Sequence, residues 1–394
     1  MDAMLVNHCT AGDFLSVSFD RAGKEAIPRK GIYRILVCRP NHRLGNTILL
    51  TPLIEELESL YRGAEIDIVA EGGIAADVFS AFPRVNHIYC LPKRGFKHPW
   101  SFLSMLLQVR RTRYDLIIDP CGGSNFSRVL TRFFKGQYKL GFGDPVTHPG
   151  LTHLVSNSVA MRHMAKRPVN LLRWGMPPQA QDAEHFFPLD IRLTDSERAL
   201  GRSLLHDLLA TYPKAETGPV IGIFANATGA KRYPAAWWND FIRALKEACP
   251  DSRIIEIIPM HGKSMLGSEW PGYYSSNIRR MGAVMAGVDL MISADCGVMH
   301  LAVASKVPTV GMFCVTDASV YEPYGPGNNP LLTQGLTAAE AAGRVVQVYR
   351  NVLVGSADAQ PGLAVAMPSD DAKDNVGQTD GGPVSCSSQV TKSH

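Results

Sequence analysis

Short apolar runs alternate along this chain with stretches whose apolar residues recur every three or four positions. Residues 33–38 (YRILVC) read as a buried strand. A polar turn over 39–45 leads from it into a helix with Leu49, Leu53, Leu57 and Leu60 on one face. Pro52 falls inside that pattern, where a first-turn position or a mild kink accommodates it. Strands follow at 66–70 (IDIVA) and 87–91, a helix at 100–111, and a short strand at 116–119 (LIID). Gly122 and Gly123 then turn the chain into a helix over 125–134. In the second half, strands are expected at 220–224 (VIGIF), 253–258 (RIIEII), 290–293 and 309–313 (TVGMF). Helices are expected at 235–248, 281–288, 298–305 and 337–352. Strand and helix in this rhythm predict parallel, doubly wound α/β sheets.

Between the two series lies a Pro-marked stretch with a polar helix, bounded by Pro177, Pro178, Pro213 and Gly218, which reads as a connection. The expected organisation is an irregular lead-in over 1–30, one α/β domain over 31–185, a linker over 186–217 and a second α/β domain over 218–336. A closing helix over 337–354 and a tail over 355–394 complete it. The tail is rich in Gly, Ser, Asp, Ala and Pro, and cannot bury enough apolar surface to offset its ordering entropy.

Composition agrees with this division. The chain has 394 residues, 45% of them hydrophobic and 19% charged, which suits two globular α/β domains. The net charge of +4 comes without a Lys/Arg run, so a nucleic-acid partner is not expected. Such a charge fits an anionic small substrate or an anionic membrane surface. None of the eight cysteines forms a C-x-x-C pair or sits at zinc-binding spacing; they read as small buried hydrophobes in a reducing compartment. With no secretory h-region and no apolar run of about 18 residues, a cytoplasmic location is expected.

Three segments carry candidate chemistry. In DLMISADCGVMHLAVASKVPTVGMF (289–313) a buried strand turns at Asp295, Cys296 and Gly297 into a helix with His300 in its first turn. The unpaired N–H groups and partial positive charge of that helix start suit a diphosphate, and Gly297 lets a ligand approach the backbone. Asp295 would accept from sugar or ribose hydroxyls, and His300 would donate to a phosphate. A capping Asp295 and a satisfied core His300 fit the same spacing. In VIGIFANATGAKRYPAAWWNDF (220–241) a strand ends in Asn226, Thr228 and Gly229, followed by Lys231 and Arg232. Lys231 would neutralise a diphosphate and Arg232 would fork onto it, unless the pair is a solvated basic turn. The loop RPNHRLGNT (39–47) brings His42, Arg43, Gly45 and Asn46, and Asp119 ends another strand of the same domain, as a cleft carboxylate or as a turn cap.

Together these pieces resemble glycosyltransferase family 9, the heptosyltransferases of lipopolysaccharide core assembly. The matching stretches are RLGNTILLTPLIEEL (43–57), YDLIIDPCGG (114–123), GAKRYPAAWWNDFIRAL (229–245), ADCGVMHLAVASKVPTVGMF (294–313) and TDASVYEPYGP (316–326). The resemblance implies a GT-B fold: two doubly wound Rossmann-type domains facing a cleft, acceptor on the N-terminal side and nucleotide sugar on the C-terminal side. It implies an inverting glycosyltransferase that uses ADP-heptose or a similar nucleotide sugar as co-substrate, with no metal and no further cofactor. By resemblance Asn226, Thr228, Lys231, Asp295, Cys296, Gly297 and His300 line the donor site and the final helix packs back across the cleft; the loop positions themselves add Arg232 on the donor side and Arg43 and Gly45 on the acceptor side. The acceptor would be a glycan or an anionic glycolipid, with peripheral contact at the inner membrane. Arg128, Arg132, Lys135 and Lys139 are candidates for that contact, and a solvated helix face explains them equally well.

The chain departs from the family at three places. The family reads Leu-Gly-Asp where this chain has Leu44, Gly45 and Asn46, and an amide cannot serve as the base that takes the acceptor proton. Asp119 and His42 remain as candidate bases, Asp119 the first choice, with Asn46 orienting the acceptor. Cys296 stands where the family has Thr or Ser. The segment PMHGKSM (259–265) lacks the acidic residue that would hold the sugar. A relative that binds a nucleotide sugar or glycan without transfer, and a nucleotide-sugar epimerase, are the alternatives. A nicotinamide dehydrogenase is disfavoured because no G-x-G-x-x-G follows any expected strand.

Overall fold

Unbroken Ile, Leu and Val runs form strands that can be covered on both faces, as a parallel sheet requires. In a computed structural model they do so twice. It describes residues 26–93, 97, 99–143, 150–177, 185–212 and 217–353. The lead-in before residue 26 and the tail expected over 355–394 lie outside the described residues. The first sheet comprises β1 (Arg34–Cys38), β2 (Glu65–Glu71), β3 (Val85–Leu91), β4 (Arg113–Asp119), β5 (Lys135–Phe142) and β6 (His153–Val155). The second comprises β7 (Val220–Phe224), β8 (Arg253–Ile257), β9 (Gly272–Tyr273), β10 (Leu290–Ala294), β11 (Thr309–Phe313) and β12 (Asn329–Leu332).

Spatial order in the first sheet is β3-β2-β1-β4-β5-β6, and in the second β12-β11-β10-β7-β8-β9. Counted within each lobe, both sheets follow the doubly wound order three-two-one-four-five-six. Every pairing is parallel; β1 sets Ile35 between Ile66 and Leu116, and β10 sets Ile292 between Val310 and Ile223. Each sheet therefore reverses its winding between its first and fourth strands, and ligands enter a doubly wound sheet outside the carboxyl ends at that reversal.

The helices of the N-lobe are α1 (Leu44–Ile48), α2 (Thr51–Leu60), α3 (Ile74–Phe79), α4 (Pro99–Arg111), α5 (Asn125–Phe133) and α6 (Lys166–Gly175). The single helix expected around Leu49 to Leu60 is thus two, and Pro52 falls in the first turn of the second, where its missing N–H costs nothing. The C-lobe follows with α7 (Asp195–Leu209), α8 (Ala235–Ala248), α9 (Ile278–Met285), α10 (Gly297–Ala304), α11 (Ala318–Tyr321), α12 (Ala338–Val348) and α13 (Arg350–Leu353).

The largest apolar cluster belongs to both lobes. It holds Ile35, Ile48 and Leu53 from the first, Met291, Leu301 and Val303 from the second, and Leu189, Ile191 and Leu193 from the connection. The linker of 186–217 is therefore not a free tether. Its first part is packed, and α7 lies along α9, held by Arg279, which donates to both carboxylate oxygens of Glu197 (2.5 and 2.7 Å). The same guanidinium donates to Ile191 O, Arg192 O and, across to α3, Asp77 O.

The closing helix also differs from expectation. Ala338, Ala341, Val345 and Tyr349 sit in the apolar cluster of Trp238, Phe241 and Leu245, so α12 packs on α8 within the C-lobe and does not cross the cleft. The Tyr349 hydroxyl, 2.9 Å from Gly327 O, pins its end there. The apolar face of α12 matches its own sheet, and the interlobe surface is already filled by α1, α3, α9 and α10.

Candidate functional site

Four loops leave the carboxyl ends of the strands that flank the two winding reversals: 39–43 after β1, 120–124 after β4, 225–232 after β7 and 295–296 after β10. Most of the sequence-derived site residues lie on them or on the first turn of the helices they feed. The two lobes meet there backbone to backbone. A Cβ on Gly45 would lie 3.0 Å from His300 Cδ2 and 3.1 Å from Gly297 Cα, and one on Gly297 would lie 2.7 Å from Gly45 N. Only glycine permits the starts of α1 and α10 to approach so closely.

On the C-lobe side α10, GVMHLAVA, is buried along almost its whole length, with only its first turn reaching the cleft. Its N-cap, Cys296, makes no side-chain cap bond, and its sulfur lies 3.7 Å from Ser293 Oγ. Burial pushes the Cys296 thiol up, while the N–H of Met299 and the Ser293 hydroxyl draw it down. The helix start thus keeps its partial positive charge available. Beside it Lys231 Nζ lies 2.7 Å from Asp295 Oδ2, an ion pair with the lysine one-third exposed and the aspartate nearly enclosed. No well-aligned hydrogen bond from the described residues reaches that oxygen. Lys231 Nζ is also 5.8 Å from the Tyr321 ring centre, and the His300 ring 6.4 Å from it, so Tyr321 on α11 walls the site.

His300 is enclosed, and its Nδ1 has no hydrogen-bond partner among the described residues. Burial, then the neighbouring His163, hold it down at about 3, against the upward pull of Asp295. It is neutral at working pH and brings a ring nitrogen, not a charge. Asn226 is half-buried and Thr228 exposed at the rim. Arg232 does not fork into the site. Its Nε donates to Ala227 O (3.2 Å) and its Nη2 reaches Asn226 Oδ1 (3.5 Å), because the one-turn helix at Gly229–Lys231 folds it back on its own loop.

On the N-lobe side Asn41 Oδ1 accepts from Arg43 N (2.8 Å) and from Asn46 Nδ2 (3.2 Å), closing the loop onto α1. Arg43 is exposed. His42, its side chain 52% exposed, sets Nδ1 3.1 Å from Glu71 Oε2 at the end of β2, and its Nε2 has no hydrogen bond among the described residues. Asp119 fails as a cleft carboxylate. It is 1% exposed, and its Oδ1 accepts from Ser127 Oγ (2.6 Å) and Cys121 N (3.0 Å), so it caps the turn into α5. Its Oδ2 is sealed in without a hydrogen-bond partner among the described residues, and burial lifts the carboxyl to about 6 despite Ser127, Cys121 N–H and Arg128. Sequence reasoning missed Glu71, Tyr321, Arg39 and Arg167. The two arginines border the small cavity beside Asn46 with Pro120 and Met164. Glu71 and Tyr321 carry no local signal, because each faces the site from a different strand or helix.

The sequence profile described as glycosyltransferase family 9 (heptosyltransferase) matches residues 275–342, which run from α9 through β12 into the start of α12. The lipopolysaccharide heptosyltransferase 1 of Salmonella typhimurium is 20% identical over 312 residues, 74% of this chain and 92% of that protein. Over residues 275–342 the chain is similar to glycosyltransferase family 9. A family 9 glycosyl transferase from Veillonella parvula superposes with a TM-score of 0.67 at 18% identity, covering 82% of this chain and 98% of that one. The E. coli heptosyltransferase WaaC, solved with ADP-2-deoxy-2-fluoro heptose, gives 0.59 at 19% identity, covering 80% and 99%. The fold is the two-lobed GT-B arrangement.

The departures from the family 9 pattern now have positions. Asn46, where the family carries aspartate, sits on the first turn of α1 with its amide turned to Asn41. PMHGKSM follows β8, and the carboxylate near it, Glu256, is buried with its oxygens taken by Ser264 Oγ (2.5 Å) and Met265 N (2.6 Å). That loop holds its acid inward, as a structural brace.

Proposed function

We propose that the chain transfers heptose, or a sugar of similar shape, from an ADP-linked donor to a glycan or glycolipid acceptor of surface-polysaccharide assembly, with inversion at the anomeric carbon. The observation that carries this reading is the seam at Gly45 and Gly297. There the open start of α10, the Lys231–Asp295 pair and the loop of His42 converge from the two winding reversals. The acceptor oxygen attacks the anomeric carbon as the bond from that carbon to the diphosphate breaks, and the nucleoside diphosphate departs with the electron pair. Lys231 and the α10 amides stabilise its growing charge. Asp295, released from Lys231 when phosphate takes the cation, would accept from donor hydroxyls.

His42 takes the acceptor proton in this reading. Glu71 accepts from Nδ1–H, which leaves the Nε2 lone pair for the incoming hydroxyl. His42→Ala should lower turnover by about 10²-fold or more. Asn46→Asp, which restores the family's carboxylate, should rescue that loss. If His42→Ala is silent, the base lies elsewhere.

One observation favours binding without transfer: the amide at position 46. A thermal-shift screen with ADP-, UDP-, GDP- and CMP-sugars, followed by assay of nucleoside diphosphate release with and without acceptor, separates the readings. The ADP-sugar should raise the melting point, by about 2.7 kcal/mol of stabilisation at a hundred times its Kd. No shift with any sugar nucleotide sinks the proposal; a shift without release leaves the binding protein.

A further inference from the structure

Helices α4 and α5 cover the outer face of the N-lobe sheet and turn a second apolar side away from it. Val109 packs inward, with Phe102, Met105 and Leu106 partly buried beside it. Trp100, Leu103 and Leu107, three and four residues apart, form an outward stripe and are 81%, 44% and 46% exposed. Phe126 and Val129 of α5 continue the surface at 47% and 64%, and the stacked rings of Phe102 and Phe126, 6.2 Å apart, join the helices. Single exposed apolar residues are ordinary, whereas five on two touching helices make a patch that calls for a partner.

Charge selects the partner. Residues 92–143 contain ten Lys and Arg against two acids, Asp115 and Asp119, while the whole chain has 40 against 36, so the remainder is net acidic. Neither acid offsets the patch: Asp115 accepts from the Tyr33 and Arg34 N–H groups, and Asp119 is enclosed. Arg111 extends the α4 stripe by one turn and Arg132 extends that of α5, with Lys97 and Lys135 exposed at the helix ends. Lys139 is held below the ordinary lysine range by burial and then by Arg110 and Arg132, so these cations crowd one another. No helix among the described residues is long and apolar enough to cross a membrane. An amphipathic face with Trp and Leu beside Lys and Arg suits lying on a bilayer, the rings at the headgroup level and the cations at lipid phosphates.

We propose that the α4–α5 face is a docking surface for an anionic phospholipid bilayer, its Trp100–Leu107 stripe entering the headgroup boundary and its basic rim meeting the lipid phosphates. Phe126 is the second residue of α5, whose N-cap Ser124 ends the loop that begins after Asp119, so the surface runs up to the acceptor side of the cleft. The orientation that follows rests on the proposed function, though the docking itself does not: a lipid-held acceptor would reach the cleft along the bilayer plane.

The full-length protein should co-sediment with vesicles containing phosphatidylglycerol about tenfold or more better than with phosphatidylcholine alone, and added salt should weaken the binding. Trp100→Ser/Leu107→Ser and, separately, Arg111→Glu/Lys135→Glu should each cut binding about tenfold. Their melting points and ADP-sugar thermal shifts should match the parent. Equal binding to both vesicles, no binding, or unaffected binding in both variants overturns the proposal. So does a parent dimer that the variants dissociate, since the face would then join two copies of the chain. Vesicle binding without any sugar-nucleotide shift sinks the catalytic reading and leaves the docking surface standing.

Discussion

Lys231 holds its positive charge against the carboxylate of Asp295, and in the proposed reaction a donor diphosphate competes for it. Its removal withdraws charge from the leaving group and strands a nearly enclosed aspartate. Lys231→Ala should therefore lower turnover about a hundredfold, read in steady-state assays with saturating acceptor. Asp119 and His300 are both buried, and their effects on stability have opposite signs. His300 is held at about 3 against an ordinary 6.5, so its contribution is complete above about pH 6.5 and is lost as pH falls toward 3. Asp119 is lifted to about 6 from 3.8, so the folded protein binds the extra proton and loses stability as pH rises through that window. Asp119→Asn should accordingly gain on the parent as pH rises from 4 to 7, measured as the difference in Tm, and should keep most of its activity. A constant Tm difference would mean that the carboxyl titrates alike folded and unfolded.

At the scale of elements, the decisive contact is between the first turns of α1 and α10. Both are short, and neither start is closed by a side-chain cap. A methyl at position 297 would meet Gly45 N at 2.7 Å and Leu44 Cβ at 3.2 Å, and backbone cannot yield as a side chain does. Gly297→Ala should force the lobes apart at a cost of about 1–3 kcal/mol, seen in urea unfolding, and should weaken ADP-sugar binding by calorimetry. Unchanged affinity would show that the close approach is not part of the donor seat. The reversal of the two base candidates also belongs here. Asp119 and His42 both follow a strand end in the same sheet. The turn after β4 curls over its carboxylate, whereas the loop after β1 carries His42 out to Glu71 on the neighbouring strand.

Across the whole molecule, the lobes are stitched as well as packed. Met164 N donates to Val320 O (3.0 Å), His163 Nε2 to Glu322 O (2.9 Å), and Arg279 ties α9 to α7, to the connection and to α3. Arg279→Ala should cost about 3 kcal/mol, the low end for breaking a buried pair because Glu197 stays partly accessible, and should broaden the solution scattering profile as the lobes loosen. Much of the architecture was legible along the chain, because strands buried on both faces and helices buried on one write their period locally. The elements that escaped write a weak one. KGQYKLGF of β5 is nearly polar, β9 and β12 are brief edges, and α6 hides behind Pro168, tolerated in its first turn. So the sequence by itself determined two doubly wound units, the loops at their winding reversals, and the places of Gly297 and Lys231 at those loops. Tertiary structure alone decided that Asp119 is sealed, that Arg232 turns back, that α12 stays on its own lobe and that Glu71 stands behind His42. Periodicity records whether a position is buried; the partner that a polar group meets is set by chain segments far away in sequence, which no local pattern encodes.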